Sequence, residues 1–203
     1  FFITFIYFKQ MKSFFLILIA GVILSVGNGF RMSLGIYVPD LLASTVFSAS
    51  LIGLTYGIFN FLWGAMSPIA GAFAEQKGYV KTLSVGFIGI ALSFYVTSSA
   101  ISPTHFLLGL GVIGGLSAGI ISVPVIIGGV SKYFDDDKTR STVTGILMSL
   151  AASGMFIFTP INQFLVTTFQ WSLSFQITAV FFLFLIPLSF IFLIPKSDKK
   201  IKK

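Results

Sequence analysis

Residues 13–38 read SFFLILIAGVILSVGNGFRMSLGIYV, a run in which nearly every side chain is apolar or small. A helix needs about 20 apolar residues to cross about 30 Å of membrane hydrocarbon, so this stretch predicts a membrane-spanning helix. Arg31 is a charge inside this run, and placing an arginine at the centre of a membrane helix costs roughly 2.5 to 3.5 kcal/mol on insertion scales. We therefore expect Arg31 either to serve a function or to reach the lipid headgroups.

The rest of the chain has the same apolar character. Of its 203 residues, 56% are hydrophobic and 9% are charged, and the mean hydropathy is +1.00. Soluble domains carry about 25% charged residues, so the composition predicts an integral, all-α membrane protein. The chain has no cysteine, which excludes disulfides and thiol chemistry. Its single histidine, His105, argues against metal or triad chemistry. We predict no cofactor, no metal and no enzymatic activity.

Five further windows are long and apolar enough to cross a membrane. Short polar or turn-forming breaks separate the windows, so we expect successive helices to be antiparallel neighbours. Together they predict a six-helix bundle over residues 13–195, with spans at 13–38, 48–73, 80–100, 104–131, 141–167 and 171–195.

The two ends of the chain are predicted separately from the bundle. Residues 1–12 are an uncertain extension, because Met11 followed by Lys12 looks like a more natural start than Phe1. Residues 11–27 resemble a signal peptide, but the apolar run continues well beyond them, which favours a retained helix. Residues 196–203 read KSDKKIKK, and we expect them to begin a basic cytoplasmic loop.

The basic residues predict the orientation of the bundle. Twelve of the thirteen lie before span one or after spans two, four and six, and Arg31 is the exception. Basic residues are retained on the cytoplasmic side during insertion, so both termini are expected there. The net charge of +7 is thus explained by topology and contact with the lipid bilayer, and no nucleic acid is expected as a partner. We expect a bacterial inner (plasma) membrane.

Polar side chains form one stripe on each of the first two spans. Asn28 and Arg31 lie on one face of span one; Tyr56, Asn60 and Trp63 follow helical spacing on span two. A short hairpin would place Arg31 level with Tyr56, and Asn28 level with Asn60. We interpret these five residues as a hypothetical binding site for a small anion in a shared cavity. The alternative is that Arg31 snorkels to the headgroups while the asparagines bond between helices.

Glycines in span four predict close helix packing. Gly111, Gly115 and Gly119 are each four residues apart, a spacing that lets membrane helices approach. GVILSVGNG at 21–29 and GVIGGLSAG at 111–119 share four of nine residues, in the first helix of each three-helix set. This similarity is what two inverted three-helix repeats predict, with chance as the competing explanation. The acidic run 135–137 is expected to be a solvated loop rather than a metal site.

The loop GAFAEQKGYVK at 71–81 resembles the signature of the major facilitator superfamily between its second and third helices. That signature has Gly, three residues, Asp, a basic residue, any residue, Gly and then basic residues. Gly71, Glu75 and Gly78 occupy the matching positions, with Glu for Asp. Gln76 departs from the signature, and Lys77 and Lys81 carry the charge at shifted positions.

Further stretches resemble the monocarboxylate and oxalate/formate branch of that superfamily. They are GFRMSLGIYVP at 29–39, WGAMSPIAGAFAEQKG at 63–78 and KYFDDDKTRSTVTG at 132–145. The resemblance covers residues 13–196 and implies the amino-terminal six-helix half of a twelve-helix transporter. A missing carboxy-terminal half would then be a partner. The coupling mode stays open, because signatures of proton-coupled members and of antiporters are absent or incomplete.

The resemblance also implies a mechanism. Two six-helix bundles would rock about a central site that opens alternately to each side, transporting a small solute such as an organic anion. Spans one and four would line the path. A cytoplasmic gating loop would comprise Gly71, Glu75, Gly78, Lys81 and Arg140, with Glu75 held by a basic residue or a helix end.

Two other classes of protein compete with a transporter half. One is a complete six-helix channel or permease that forms a homodimer. The other is an intramembrane serine hydrolase using Ser153, but the predicted topology puts His105 near the opposite side of the membrane, out of reach of that serine.

Overall fold

A computed structural model describes residues 2–44 and 46–193, with side chains from residue 13 onward. The predicted basic segment 196–203 lies outside the described residues. The described residues are mainly helical, and a 3-10 turn (Leu34–Tyr37), a π-helical stretch (Leu107–Gly114) and a 3-10 end (Ile186–Leu193) join or extend the α-helices. The α-helices are α1 (Phe2–Ser33), α2 (Val38–Ala43), α3 (Ala49–Lys77), α4 (Tyr79–Ser98), α5 (Pro103–Phe106), α6 (Gly115–Ile120), α7 (Val123–Ser131) and α8 (Asp137–Phe184).

Within the described residues, five helical tracts have the length and composition to cross a membrane. They are Ser13–Ala43, Ala49–Lys77, Tyr79–Ser98, Pro103–Ser131 and Asp137–Leu193. Large apolar side chains cover their outer surfaces: Phe61 is 73% exposed and Phe156 is 80% exposed. Such a surface is suited to lipid rather than water, so the chain is an integral membrane protein.

The last of these tracts reverses direction at Gln170, within the predicted break TTFQW. Gln170 has φ 62° and ψ 169°, a backbone conformation that residues other than glycine rarely adopt. Phe158 and Phe182 both contact Phe30, with ring centroids 4.9 and 5.3 Å from it. A straight helix would separate those two residues by roughly 36 Å. α8 therefore has two arms, residues 137–169 and 171–184, that fold back on each other.

The first two spans are neighbours, as predicted, but long side chains rather than close backbone packing join them. α1 packs most extensively on α8. A Cβ atom on Gly29 would come within 2.6 Å of the Gly154 carbonyl oxygen, so the absence of side chains lets these two helices approach. α1 and α3 are instead bridged by the long side chains of Arg31 and Tyr56, which hold the two helices further apart.

The three glycines of span four face α3, which confirms the prediction of close packing. A Cβ atom on any of them would come within 3.3 Å of a backbone carbonyl oxygen of α3. Membrane helices associate closely where small residues meet, because lipid supplies no hydrophobic force to drive them together. The pairs are Gly111 with Thr55 at 3.3 Å, Gly115 with Phe59 at 2.7 Å and Gly119 with Trp63 at 2.8 Å.

Phenylalanine rings fill the centre of the bundle beside Arg31. Phe30 is buried, and its ring lies 4.9 to 6.4 Å from those of Phe94, Phe158, Phe181 and Phe182. These rings come from α1, from α4 and from both arms of α8. The core thus fixes the backbone on which Arg31, the next residue of α1, is mounted.

Candidate functional site

The Arg31 guanidinium lies between α1 and α3 and is held by two side-chain amides. Its Nη1 donates to Asn60 Oδ1 at 3.0 Å, and its Nη2 donates to Asn28 Oδ1 at 3.1 Å. Nη2 also lies 3.3 Å from Met32 Sδ. The structure thus brings together a cation and two polar residues that the sequence placed on facing stripes.

Trp63 covers one face of the guanidinium. The Arg31 Cζ atom lies 4.3 Å from the centre of the Trp63 ring. At this distance the ring quadrupole attracts the cation, and the attraction is stronger where water is excluded. Trp63 and the two asparagines therefore define the surroundings of the charge.

The guanidinium points away from the loop between α2 and α3. Its partners Asn28, Asn60 and Trp63 all lie further from that loop than Leu34 and Tyr56 do. Side chains on a helix lean toward its N-terminus, which directs Arg31 along α1 toward Asn28. This direction is opposite to the one that snorkelling to the headgroups beyond the loop would require.

Arg31 and Tyr56 make their contacts across the two stripes with different residues. Tyr56 donates its hydroxyl proton to the Leu34 carbonyl oxygen at 2.8 Å, and Asn60 rather than Tyr56 meets Arg31. That Arg31 lies level with Tyr56 stays a prediction, because both side chains lean toward the N-terminus of their own helix and so make their contacts in opposite directions. Tyr56 joins the two helices next to the site without touching the guanidinium.

The charge of Arg31 is not neutralised within the part of the chain that the structure describes. The ion pairs there are Glu75 with Lys132 and Asp137 with Arg140. Arg31 has instead two neutral amides and an aromatic ring. A partly buried cation without a counter-ion among the described residues attracts an anion, because fewer water molecules screen it than in bulk solvent.

A small cavity adjoins the guanidinium. The volume open to the centre of a water molecule is about 30 Å³, room for roughly two waters. The cavity lies next to Arg31, Asn28 and Trp63, so a solute bound to the cation would have an apolar wall beside it. The apolar residues that line it include Leu24, Phe30, Phe59, Ile90, Phe94, Ile121 and Phe182.

A second polar group between α1 and α8 was not predicted. Asn162 is fully buried; its Nδ2 donates to Ser33 Oγ, and its Oδ1 accepts from the Tyr37 hydroxyl at 3.2 Å. The signal in the sequence was an asparagine inside an apolar span, where an amide needs partners. All of its hydrogen bonds are within the bundle, so the group joins helices rather than adding to the site.

At the other end of the bundle, Glu75 Oε1 lies 3.5 Å from Lys132 Nζ, linking the end of α3 to the end of α7. Lys132 also lies 5.0 Å from the centre of the Tyr79 ring. Gly78 ends α3 with φ 101°, a conformation that glycine adopts without strain. The basic residue that holds Glu75 is thus on the neighbouring helix.

The other residues assigned to the gating loop do not join this ion pair. Arg140 donates its Nε proton to the Phe134 carbonyl oxygen at 2.6 Å and lies 3.4 Å from Asp137. Lys81 is exposed, and Gly71 has open space around its Cα. Of the residues assigned to the gating loop, Glu75 forms the ion pair with Lys132 and Gly78 provides the turn that ends α3.

The acidic run before α8 caps the helix. Asp136 Oδ2 accepts from the Thr139 backbone N–H and from the Thr139 hydroxyl, both at 2.8 Å. These hydrogen bonds, the backbone one foremost, hold the pKa of the Asp136 carboxyl below its ordinary value. No cluster of metal-ligating side chains occurs among residues 2–44 and 46–193. The run has a structural role at the helix start.

The fold and the site define an all-α integral membrane protein with a partly buried cation beside a small cavity. The family model of the Major Facilitator Superfamily matches residues 14–203. The chain belongs to the Major Facilitator Superfamily. This confirms the resemblance seen in the loop at 71–81 and the prediction of a membrane transporter class rather than an enzyme.

Named relatives support the same branch. The chain is 27% identical over 143 residues to monocarboxylate transporter 11 of Mus musculus, covering 70% of this chain and 31% of that protein. It is 30% identical over 105 residues to mouse monocarboxylate transporter 12, covering 52% and 21%. It is also 23% identical over 111 residues to the riboflavin transporter MCH5 of Saccharomyces cerevisiae, covering 55% and 21%.

These matches span about a third or less of the length of the relatives. The named relatives come from an animal and a yeast, so a bacterial membrane stays a prediction. The names of these relatives refer to different solutes, monocarboxylate in two of them and riboflavin in the third. Similarity alone therefore leaves the solute of this chain undetermined.

Proposed function

We propose that the protein transports a small organic anion, such as a monocarboxylate, across a membrane by alternating access. The observation that carries this proposal is the unneutralised Arg31 guanidinium, held between Asn28 and Asn60 on Trp63. A carboxylate would accept hydrogen bonds from the guanidinium and offset its charge. The similarity to transporters named for monocarboxylates supports the same solute class.

The site would consist of Arg31, Asn28, Tyr56, Asn60 and Trp63. Arg31 would bind the carboxylate, and Trp63 would keep water from one face of the pair. The adjoining cavity is lined mainly by apolar side chains, so it suits a solute whose uncharged end is small and apolar. Tyr56 would hold α1 and α3 at the spacing that admits the solute.

We assign the two arms of α8 to the fifth and sixth crossings, which makes the chain the six-helix amino-terminal half of a major facilitator fold. The reversal at Gln170 supports this assignment. The two three-helix sets, beginning with α1 and with the tract at Pro103–Ser131, would be inverted repeats. Both would contribute to the cavity, through Leu24 on one side and Ile121 on the other. A second six-helix half would complete the transport path.

The ion pair of Glu75 and Lys132 would belong to a gating loop on the cytoplasmic side. It joins the ends of two helices that lie on either side of the cytoplasmic opening in the proposed arrangement. Tyr79 and Gly78 would fix the loop between them. Both termini would lie on this same side.

The test is uptake of labelled monocarboxylates by cells that express the whole reading frame containing this chain. Arg31→Gln should abolish uptake, and Arg31→Lys should retain a small part of it, because lysine keeps the charge but not the paired donors. Lys138→Gln is the matched control: it also removes one positive charge, from an exposed position in the first turn of α8. Normal uptake by both Arg31 variants would overturn the proposal.

A further inference from the structure

We infer that Asn28 and Asn60 are positioning residues that hold the Arg31 guanidinium in place without neutralising it, rather than ligands of the solute. This inference rests on the proposed function of the site. It follows from how the two amides use their own donors and acceptors.

Each amide nitrogen donates one N–H to a backbone carbonyl. Asn28 Nδ2 donates to the Ala151 carbonyl oxygen at 2.9 Å, and Asn60 Nδ2 donates to the Tyr56 carbonyl oxygen at 2.8 Å. Turning either amide over would direct an oxygen at a carbonyl oxygen and an N–H at the guanidinium. The backbone therefore fixes both amides with their oxygens toward Arg31.

An amide fixed in this way does not suit an anionic solute as a direct partner. The group that each amide turns toward Arg31 is its oxygen, which repels a carboxylate, and one of the two N–H donors of each amide is engaged by a backbone carbonyl. The guanidinium, in contrast, has five N–H donors, three of which are engaged by Asn28, Asn60 and Met32. Two N–H donors are left for a solute.

The choice of asparagine also preserves the charge. A carboxylate at either position would form an ion pair with Arg31 and occupy the place of an anionic solute. An amide has the same shape and the same acceptor oxygen without the charge. Two neutral acceptors on different helices thus set the direction of the guanidinium while its charge remains available.

Asn28 extends this support to a third helix. Ala151 lies on the first arm of α8, three residues before Gly154, where α1 and α8 approach most closely. Asn60 belongs to α3. The position of the cation therefore depends on α1 together with α8 on one side and on α3 on the other.

The test is a double-mutant cycle on the whole protein, measuring the KM for monocarboxylate uptake. In the wild type, Asn28→Ala and Asn60→Ala should each raise KM about tenfold, through loss of a charge-assisted hydrogen bond. Lysine at position 31 is a point charge on a flexible stem, which depends less on two fixed acceptors. In the Arg31→Lys background, each alanine variant should therefore change KM by less than about twofold.

Retention of the full tenfold cost in the Arg31→Lys background would overturn the inference, because the amides would then act on the solute directly. Where uptake is slow, the solute-induced rise in Tm of the purified variants gives the same comparison. Gln163→Ala is the matched control: it removes an exposed amide from α8 and should leave KM unchanged. Failure of the proposed function is distinguishable, since it appears as normal uptake by Arg31→Gln.

Asn60→Asp supplies a second arm of the test. Its carboxylate should pair with Arg31, abolish monocarboxylate uptake and leave the Tm of the unliganded protein equal or higher. Asn60→Ala should lower that Tm or leave it unchanged. If Asn60→Asp transported the anion as well as the wild type, the inference would be wrong.

Discussion

Gly29 and Gly154 face each other so closely that a Cβ atom on Gly29 would lie 2.6 Å from the Gly154 carbonyl oxygen. The space at Gly154 is tighter still, since a Cβ atom there would overlap the carbonyl group of Ser25, one turn before Gly29 on α1. The two glycines define the place where α1 and α8 pack backbone to backbone. Asn28, between Ser25 and Gly29 in sequence, spans the same contact to reach Ala151.

We predict that Gly154→Val destabilises the protein. The added side chain would push α8 away from α1, and overpacking of this kind costs about 1–3 kcal/mol. The measurement is the Tm of the purified protein in detergent. Gly145→Val is the matched control in the same helix, because open space surrounds Gly145. An equal loss of Tm in both variants would contradict the close contact at Gly154.

Single cysteines should report the reversal of the chain at Gln170. The sequence has no cysteine, so each introduced one is the sole thiol of this chain. With six crossings, Gln170→Cys and Ile101→Cys should react with an impermeant maleimide from the same side of the membrane, and Lys138→Cys from the other. Ile101 is 85% exposed and is the reference for its side. Labelling of Gln170→Cys and Lys138→Cys from one side would refute the six-crossing arrangement.

The ion pair between Glu75 and Lys132 should affect transport more than stability. The two side chains are 61% and 33% exposed, and exposed pairs contribute about 1 kcal/mol or less. Glu75→Gln should therefore leave Tm within a few degrees of the wild type while changing the rate of uptake. The exchanged pair, Glu75→Lys with Lys132→Glu, should restore the rate. A rate unaffected by Glu75→Gln would remove this pair from the gating loop.

The cap at Asp136 should make the start of α8 sensitive to acid. The pKa of its carboxyl is lowered in the folded protein, so its stabilising effect is present at neutral pH. That effect is lost as pH falls below the ordinary range of an aspartate and through the lowered value. Hydrogen exchange at the Thr139 amide is the measurement, and protection there should fall with pH.

Two variants separate the charge of this cap from its hydrogen bonds. Asp136→Ala should remove the extra protection of the Thr139 amide at every pH. Asp136→Asn keeps an acceptor and should retain protection that no longer depends on pH through this residue. An acid-sensitive Thr139 amide in the Asp136→Asn variant would show that another group controls it.

The sequence predicts the parts of this structure that depend on local spacing. Apolar runs locate the helical tracts, and helical periodicity brings Arg31, Asn60 and Trp63 to one site. That Arg31 bonds to Asn60 depends on the direction in which its side chain leans, which spacing alone does not give. The spacing of Gly111, Gly115 and Gly119 predicted a close helix contact, because small residues at such intervals are typical of interfaces between membrane helices. The structure has that contact with α3.

Contacts between distant parts of the chain could not be predicted in the same way. The acceptor of Asn28 is a backbone carbonyl 123 residues away, and every residue offers such a group regardless of its side chain. Asn162 bonds to Ser33 and to Tyr37, and these contacts likewise depend on which helix lies beside α1. That choice follows from Gly29 and Gly154 together, and neither glycine identifies the other in the sequence.

The unneutralised charge of Arg31 has an electrical consequence for the proposed transport cycle. Among the described residues, the empty Arg31 site carries one positive charge, and one bound monovalent anion would cancel it. One elementary charge that crosses the full membrane potential exchanges about 2.3 kcal/mol per 100 mV. Voltage should therefore act on the reorientation of the empty carrier and leave that of the loaded carrier nearly unaffected, so that exchange of one anion for another proceeds at a rate independent of the membrane potential.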